Sequence, residues 1–198
     1  MKIFCTDFDR LSMSLKGKHN EVDIRCVYTK PDSALLNSGK MLYCPEPVSR
    51  LYAGPYLIVR VARVGKFVAP QFSERYWEQV GVGVSFCGLD EARRAIADGL
   101  PHVAYSGFDG SLVQSVLKDY DTCASGALSF IKGTEKHPLA LPSPAFINDY
   151  LSLISEYFML KIGDLLTFPL LSDYMPVEIG DNLYVALGDE ELAFVGVR

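Results

Sequence analysis

The chain has 198 residues, 49% of them hydrophobic and 22% charged, with a formal net charge of −5. This length suits one domain with one substantial core, and the composition is that of an ordinary folded protein, which excludes disordered and membrane classes. A negative chain without a Lys/Arg run lacks the basic surface that displaces counterions from phosphates, so no nucleic-acid partner is expected.

At the N-terminus, Asp7 interrupts the opening Met1-Lys2-Ile3-Phe4-Cys5-Thr6 before a signal core develops, and no later apolar run reaches the ~20 residues of a bilayer span. A cytoplasmic location with no membrane partner follows as the expectation. Cys5, Cys26, Cys44, Cys87 and Cys123 are odd in number and scattered, with no Cys-x-x-Cys pair and no nearby His. They read as reduced, mostly buried thiols rather than metal ligands.

In chain order the patterning gives many short strands and few helices. Leu57 to Val64 is a strand, apolar except at Arg60 and Arg63 and ended by Gly65. One or two helical turns run from Ser73 to Gln79. In the strand Val80 to Phe86, Gly81, Gly83 and Ser85 alternate with apolar residues, which leaves one face open for a ligand or for close backbone packing. A short helix runs from Asp90, its cap, to Ala97. Lys132 to Pro144, with Gly133, Pro138 and Pro142, reads as a loop. Ser143 then caps a helix with Pro144 in its first position and Ile147, Tyr150, Leu151, Ile154, Tyr157 and Phe158 on one apolar face, before Gly163 stops it. Strands return at Leu165 to Phe168, Asn182 to Leu187 and Glu191 to Val197, the last two as a hairpin through Gly188-Asp189-Glu190. The class is mainly β, or α+β, with a few covering helices.

Taken by themselves, these residues form no catalytic constellation. His19, His102 and His137 are isolated, and there is no Gly-x-Ser-x-Gly elbow, phosphate loop or dinucleotide fingerprint.

Four motifs add a further reading. Lys30-Pro31-Asp32-Ser33-Ala34-Leu35-Leu36 is followed by the apolar strand with Arg60, then by Gly107-Phe108-Asp109-Gly110-Ser111, then by Ile162-Gly163-Asp164 and Ile179-Gly180-Asp181. In this order and spacing the chain resembles fumarylacetoacetate hydrolase family proteins along nearly its whole length, as a short, single-domain member. The resemblance implies a mixed β-sandwich roll and a homodimer. It also implies a Mg²⁺ or Mn²⁺ ion that chelates a 2-oxo acid or acylpyruvate, polarises its oxo group and stabilises the enolate during hydrolysis, decarboxylation or isomerisation.

The residues that the resemblance assigns to this chemistry have changed. The Glu-x-Glu of the metal strand falls on Gly54-Pro55-Tyr56, and the metal-binding Asp of the later strand on Ser85. An Arg of the same motif becomes Leu89, while Asp90 is kept. The Lys before Gly-Phe-Asp is Ser106, and the loop that binds the substrate carboxylate is Phe168-Pro169-Leu170-Leu171. The lid residues map near Asp9, Arg10 and Met13. Three lost carboxylates leave Mg²⁺ without the charge that offsets its dehydration, so no metal cofactor is expected. Asp32 and Asp109 are the acidic residues kept in motifs near the site, as residual cleft residues or as turn residues. The stretch between Ser111 and Phe146 is also short for an active member, which reshapes the pocket and part of the dimer surface.

Three functions fit these losses. The first is a metal-free, non-catalytic member, a binding or partner protein whose partner would be its own copy, a paralogue or a small-molecule anion. The second is an enzyme of metal-independent chemistry in the same cleft. The third is a residual hydrolase acting on a small diketo acid.

Overall fold

The structure, a computed structural model, describes residues 1–6 and 24–198. Its strands fall into two sheets. The larger runs β2 (Val27–Lys30), β1 (Ile3–Thr6), β11 (Leu165–Pro169), β5 (Leu51–Val61), β6 (Trp77–Cys87), β7 (Leu112–Gln114) and β3 (Leu35–Asn37), with β12 (Met175–Val177) also pairing β5 and β8 (Lys118–Asp119) pairing β6. The smaller runs β10 (Glu135–Pro138), β9 (Leu128–Lys132), β13 (Asn182–Leu187), β14 (Glu190–Val197) and β4 (Lys40–Leu42). Among the described residues, α-helices α1 (Pro70–Ser73), α2 (Leu89–Ala97), α3 (Val103–Ser106), α4 (Tyr120–Ser125) and α5 (Pro144–Tyr157) accompany them. No helix among the described residues is long and apolar enough to cross a membrane. Four of the five cysteines are buried and none is bonded to another.

Chain connectivity forces the larger sheet to curl. Strands β2 and β3 lie at opposite ends of a seven-strand path, about 29 Å apart if the sheet were flat with ~4.8 Å between strands. Only residues 31–34 join them, and a chain that short reaches about 17 Å at most. The sheet therefore rolls until its two ends approach, and Pro31-Asp32-Ser33-Ala34 closes the seam.

Rolling gives the sheet two unequal faces, and the alternation along each strand sorts residues between them. Val80, Val82, Val84 and Phe86 of β6, with Leu57 and Val59 of β5, face outward into the main core. There they meet the smaller sheet and the Ile147, Tyr150, Leu151 and Ile154 stripe of α5. Ile3, Cys5, Ile58, Leu112 and Leu165 form a second, smaller cluster inside the roll. In the register of β5 with β6, Gly54 lies opposite Ser85, Tyr56 opposite Gly83 and Ile58 opposite Gly81. The small residues of β6 thus line the inside of the curl, where space is scarce. A Cβ on Gly83 would run into the Val113 carbonyl oxygen and the Ile58 side chain, so close backbone packing accounts for this glycine.

Several elements differ from the sequence-based expectation. Glu135–Pro138 is a strand where a loop was expected; it is the edge of the smaller sheet, the place where a strand tolerates proline. Helix α2 starts at Leu89 behind Gly88, so Asp90 is not its cap; its carboxylate accepts a hydrogen bond from the Tyr52 hydroxyl at 3.0 Å. The turns expected over Ser73 to Gln79 stop at Tyr76, because Trp77 already belongs to β6. Helix α5 starts behind Ser143, whose Oγ accepts from the Phe146 N–H, and ends at Tyr157, well before Gly163. Tyr157 and Phe158, expected on its packed stripe, are exposed. Asp164 is buried and accepts the backbone N–H groups of Lys2 and Lys161, while Asp181 accepts that of Glu178.

Because the clash at Gly83 is with backbone, relaxation cannot relieve it cheaply. The substitution Gly83→Ala is expected to lower stability by about 3 kcal/mol or to prevent folding, measured by urea denaturation against the wild type.

Candidate functional site

The site grows from the seam. Tyr28 and Lys30, two apart on β2, share the face that looks into the roll, and Lys30 is only 2% exposed. Its ammonium donates to Ser85 Oγ at 2.9 Å, to the Ser111 carbonyl at 3.0 Å and to Ser111 Oγ at 3.2 Å. The three donors of a lysine are thereby satisfied, all by neutral acceptors. The Ser111 carbonyl also accepts the N–H of Phe86, which ties β6 to the segment entering β7.

The two longest retained motifs bind each other across the seam. The Gly110 N–H donates to the Ser33 carbonyl at 3.1 Å, and Ser33 Oγ donates to Asp109 at 2.6 Å. Gly110 adopts a φ of +77°, a conformation that a side chain disfavours. The seam is thus held inside by Lys30 and outside by the Ser33–Asp109 pair.

Beside Lys30, the positions expected to carry metal carboxylates do come together. Gly54 lies across from Ser85, and Tyr56 follows on the same face of β5. Tyr174, which sequence reasoning did not single out, completes the group. Its hydroxyl is 2.6 Å from that of Tyr56 and also bonds Ser85, and its ring lies over Gly54, where an added Cβ would be 3.2 Å from the ring. A continuous hydrogen-bonded chain therefore runs Lys30–Ser85–Tyr174–Tyr56.

Burial sets the electrostatics. It holds the Lys30 ammonium below the ordinary lysine range, with the nearby Cys5 and Cys87 thiols pulling the other way. Burial likewise pushes the Tyr56 and Tyr174 phenols up, and for Tyr56 the adjoining Tyr174 phenol adds to the effect. Tyr150 is pushed up in the main core by the same cause. Burial thus disfavours the ionised form of each phenol. Neither Tyr56 nor Tyr174 is set up as a base at neutral pH.

These residues do not fit a divalent ion. Mg²⁺ or Mn²⁺ takes hard, anionic oxygen ligands, whereas this place offers an ammonium, hydroxyls and an amide carbonyl. A cation beside Ser85 would face the charge of Lys30 at contact distance. Among the described residues no group of three His, Cys, Asp or Glu side chains is placed to hold a metal.

The other expected site positions are spread around this cluster. Ser106 is buried, with its Oγ 3.0 Å from His102 Nδ1 and its carbonyl accepting from Ser111 Oγ. Leu89 opens α2. Phe168 is core, packed edge-on against Tyr150 with ring centroids 4.6 Å apart, and Pro169 pairs with Tyr56 across β11 and β5. Asp32 is exposed in the seam turn, and Asp109 lines an outer pocket of about 680 Å³ with Ser33, Leu36, Tyr43 and Phe108. Asp9, Arg10, Met13 and His19 lie outside the described residues.

Comparison with solved structures gives a consistent result at low identity. A Yersinia pestis protein assigned to the fumarylacetoacetate hydrolase family superposes with a TM-score of 0.80 at 19% identity, over 100% of this chain and 92% of its own. Fumarylpyruvate hydrolase from Pseudomonas aeruginosa, solved with Mn²⁺ and pyruvate, gives 0.78 at 19%, over 100% and 89%. A 5-carboxymethyl-2-hydroxymuconate delta-isomerase from Mycobacterium smegmatis gives 0.77 at 14%, over 99% and 78%. The chain has the fold of fumarylacetoacetate hydrolase family proteins. No protein-family model and no curated protein matches it.

The raised phenols and the lowered ammonium act on stability with opposite signs. Above pH ~10 the unfolded chain loses tyrosine protons that the folded chain keeps, so stability falls as pH rises. Of the eleven tyrosines, Tyr56, Tyr150 and Tyr174 are expected to ionise only on unfolding, read as a late step in absorbance near 295 nm. Lys30 contributes the reverse, since between its lowered folded value and ~10.5 the unfolded chain holds the extra proton and stability rises with pH. The stability of the wild type relative to Lys30→Met is therefore expected to grow with pH across that window, measured by urea unfolding at stepped pH.

Proposed function

We propose that this chain is a fumarylacetoacetate hydrolase family member whose metal centre has been replaced by a lysine–serine–tyrosine network, and that it acts by binding rather than by metal-dependent chemistry. The observation that carries this reading is the 2.9 Å contact of Lys30 Nζ with Ser85 Oγ, at the position where the resemblance expects a metal-binding carboxylate. The family's reaction requires a Lewis acid to take up enolate charge. Here the corresponding positive charge belongs to a side chain whose three donors are already used within the protein, so it has no donor to offer a substrate.

Metal-independent catalysis in the same cleft has less support. Tyr56, Ser85 and Ser106 are each buried and hydrogen-bonded to neighbours, and the raised phenols are poor proton acceptors at neutral pH. A residual diketo-acid hydrolase would need carboxylates gathered round an ion, and the donor set beside Ser85 supplies none. The homodimer implied by the resemblance, or a paralogue partner, remains part of the proposal, as does a cytoplasmic location.

Purified protein is expected to show no change in melting temperature with millimolar Mg²⁺ or Mn²⁺, with or without oxalate, and no metal-dependent turnover of acylpyruvates or oxaloacetate. Tight Mn²⁺ binding seen by electron paramagnetic resonance, together with turnover that chelator abolishes, would overturn the reading. Sedimentation equilibrium checks the homodimer directly.

A further inference from the structure

On the outside of the roll, the loop that leaves β5 is bridged to the loop that follows α5. Gly65 and Leu160 exchange two backbone hydrogen bonds, of 3.2 and 2.8 Å. Within three residues of this bridge lie Val64, Phe67, Tyr157, Met159 and Ile162, every one more than half exposed and Phe67 the most, at 72%. Arg63, Lys66 and Lys161 stand among them, with Arg60 close by, against the carboxylates of Glu156 at the end of α5 and of Glu78, which lines a small pocket with Arg60 and Ile162. A chain of net charge −5 thus concentrates positive charge and large apolar side chains at one place.

Phe67 is held there against its own preference. It is the one non-glycine residue with positive φ among the described residues, at +54°, a conformation that costs a bulky side chain free energy. The loop is fixed in this shape by the Phe67 N–H donating to the Ser155 carbonyl at 3.0 Å and the Val68 N–H donating to Ser155 Oγ at 2.8 Å. Lys66 Nζ donates to the Glu156 carbonyl at 2.9 Å and lies 4.6 Å from the Phe67 ring centroid. The ring obtains no burial in return. Strain kept in order to display an aromatic ring to solvent points outward to a contact.

We infer that this bridged pair of loops docks peripherally on an anionic phospholipid surface, with Phe67 and Ile162 entering the headgroup boundary and Arg63, Lys66 and Lys161 meeting lipid phosphates. Aromatic and aliphatic tips interleaved with Lys and Arg are the composition of an interfacial contact. A second copy of the chain is a poorer occupant, because a two-fold contact through this patch would bring two sets of the same three cations into one interface. A protein partner is also less suited, since lysine is depleted at the centre of protein interfaces. The absence of a membrane partner was expected because the sequence has no spanning segment, and peripheral docking needs none. This inference is independent of whether the chain catalyses a reaction.

The test is co-sedimentation of the full chain with vesicles of phosphatidylcholine containing about a third phosphatidylglycerol, against pure phosphatidylcholine. Binding is expected to the anionic vesicles only, weakening as salt is raised. Lys161→Gln is expected to weaken it roughly fivefold, and Phe67→Gly roughly tenfold or more. Phe67→Gly should meanwhile keep or raise the melting temperature, because glycine adopts this φ freely, so lost binding cannot be put down to lost folding. The inference falls if folded wild type ignores anionic vesicles, if Phe67→Gly binds them as well as wild type, or if sedimentation velocity shows that Phe67→Gly dissociates a dimer while vesicle binding is unchanged.

Discussion

The ammonium of Lys30 sits where the two ends of a rolled sheet meet, and the rest of the interior is arranged around satisfying it. A charge this deeply buried is costly unless each of its donors is bonded. Ser85 from β6 and Ser111 from the entry to β7 supply those bonds, and β6 and β7 lie several strands away from β2 along the sheet. The lysine and the short Pro31–Ala34 connection therefore enforce the same closure, one by hydrogen bonding and the other by chain length.

This arrangement gives the motifs a role in folding. The Lys-Pro-Asp-Ser segment and the Gly-Phe-Asp-Gly-Ser segment are halves of one clasp, joined through Ser33, Asp109, Gly110 and Ser111. Asp164 and Asp181, after their glycines, accept backbone N–H groups in turns. Such residues fold the chain whether or not an ion is bound. The residues around Ser85 are equally interdependent: Gly54 makes room for the Tyr174 ring, Tyr174 bonds Tyr56 and Ser85, and Ser85 receives Lys30. Placing a carboxylate at any one of these positions would disturb its neighbours, so they behave as a set.

The interior and the outer surface make different demands on the same strands. Inside the curl, size is limiting, which is why β6 alternates Gly, Gly and Ser with large apolar residues. Outside, beyond the end of α5, the apolar stripe outlasts the core: Ile154 is fully buried while Tyr157 projects into solvent. The surface built from that overrun and the strained Phe67 loop gathers several apolar side chains that are displayed rather than packed.

Periodicity alone located the long strands, the terminal hairpin and helix α5 with its cap, because those patterns are local and each residue declares its own face. The four motifs and their order pointed to the fold. The strand over Glu135–Pro138 was hidden because proline is tolerated only at a sheet edge, and edges are not visible in sequence. Tyr174 was hidden because it sits in a polar connection without periodicity. The role of Lys30 was hidden because its partners lie 55 and 81 residues away. Sequence by itself determined the strongly periodic elements and, through the motifs and their order, the fold. Only the tertiary structure decided which side chains meet Lys30 and Ser85, because closing the roll brings together a strand end, a strand centre and two turns that no local pattern connects.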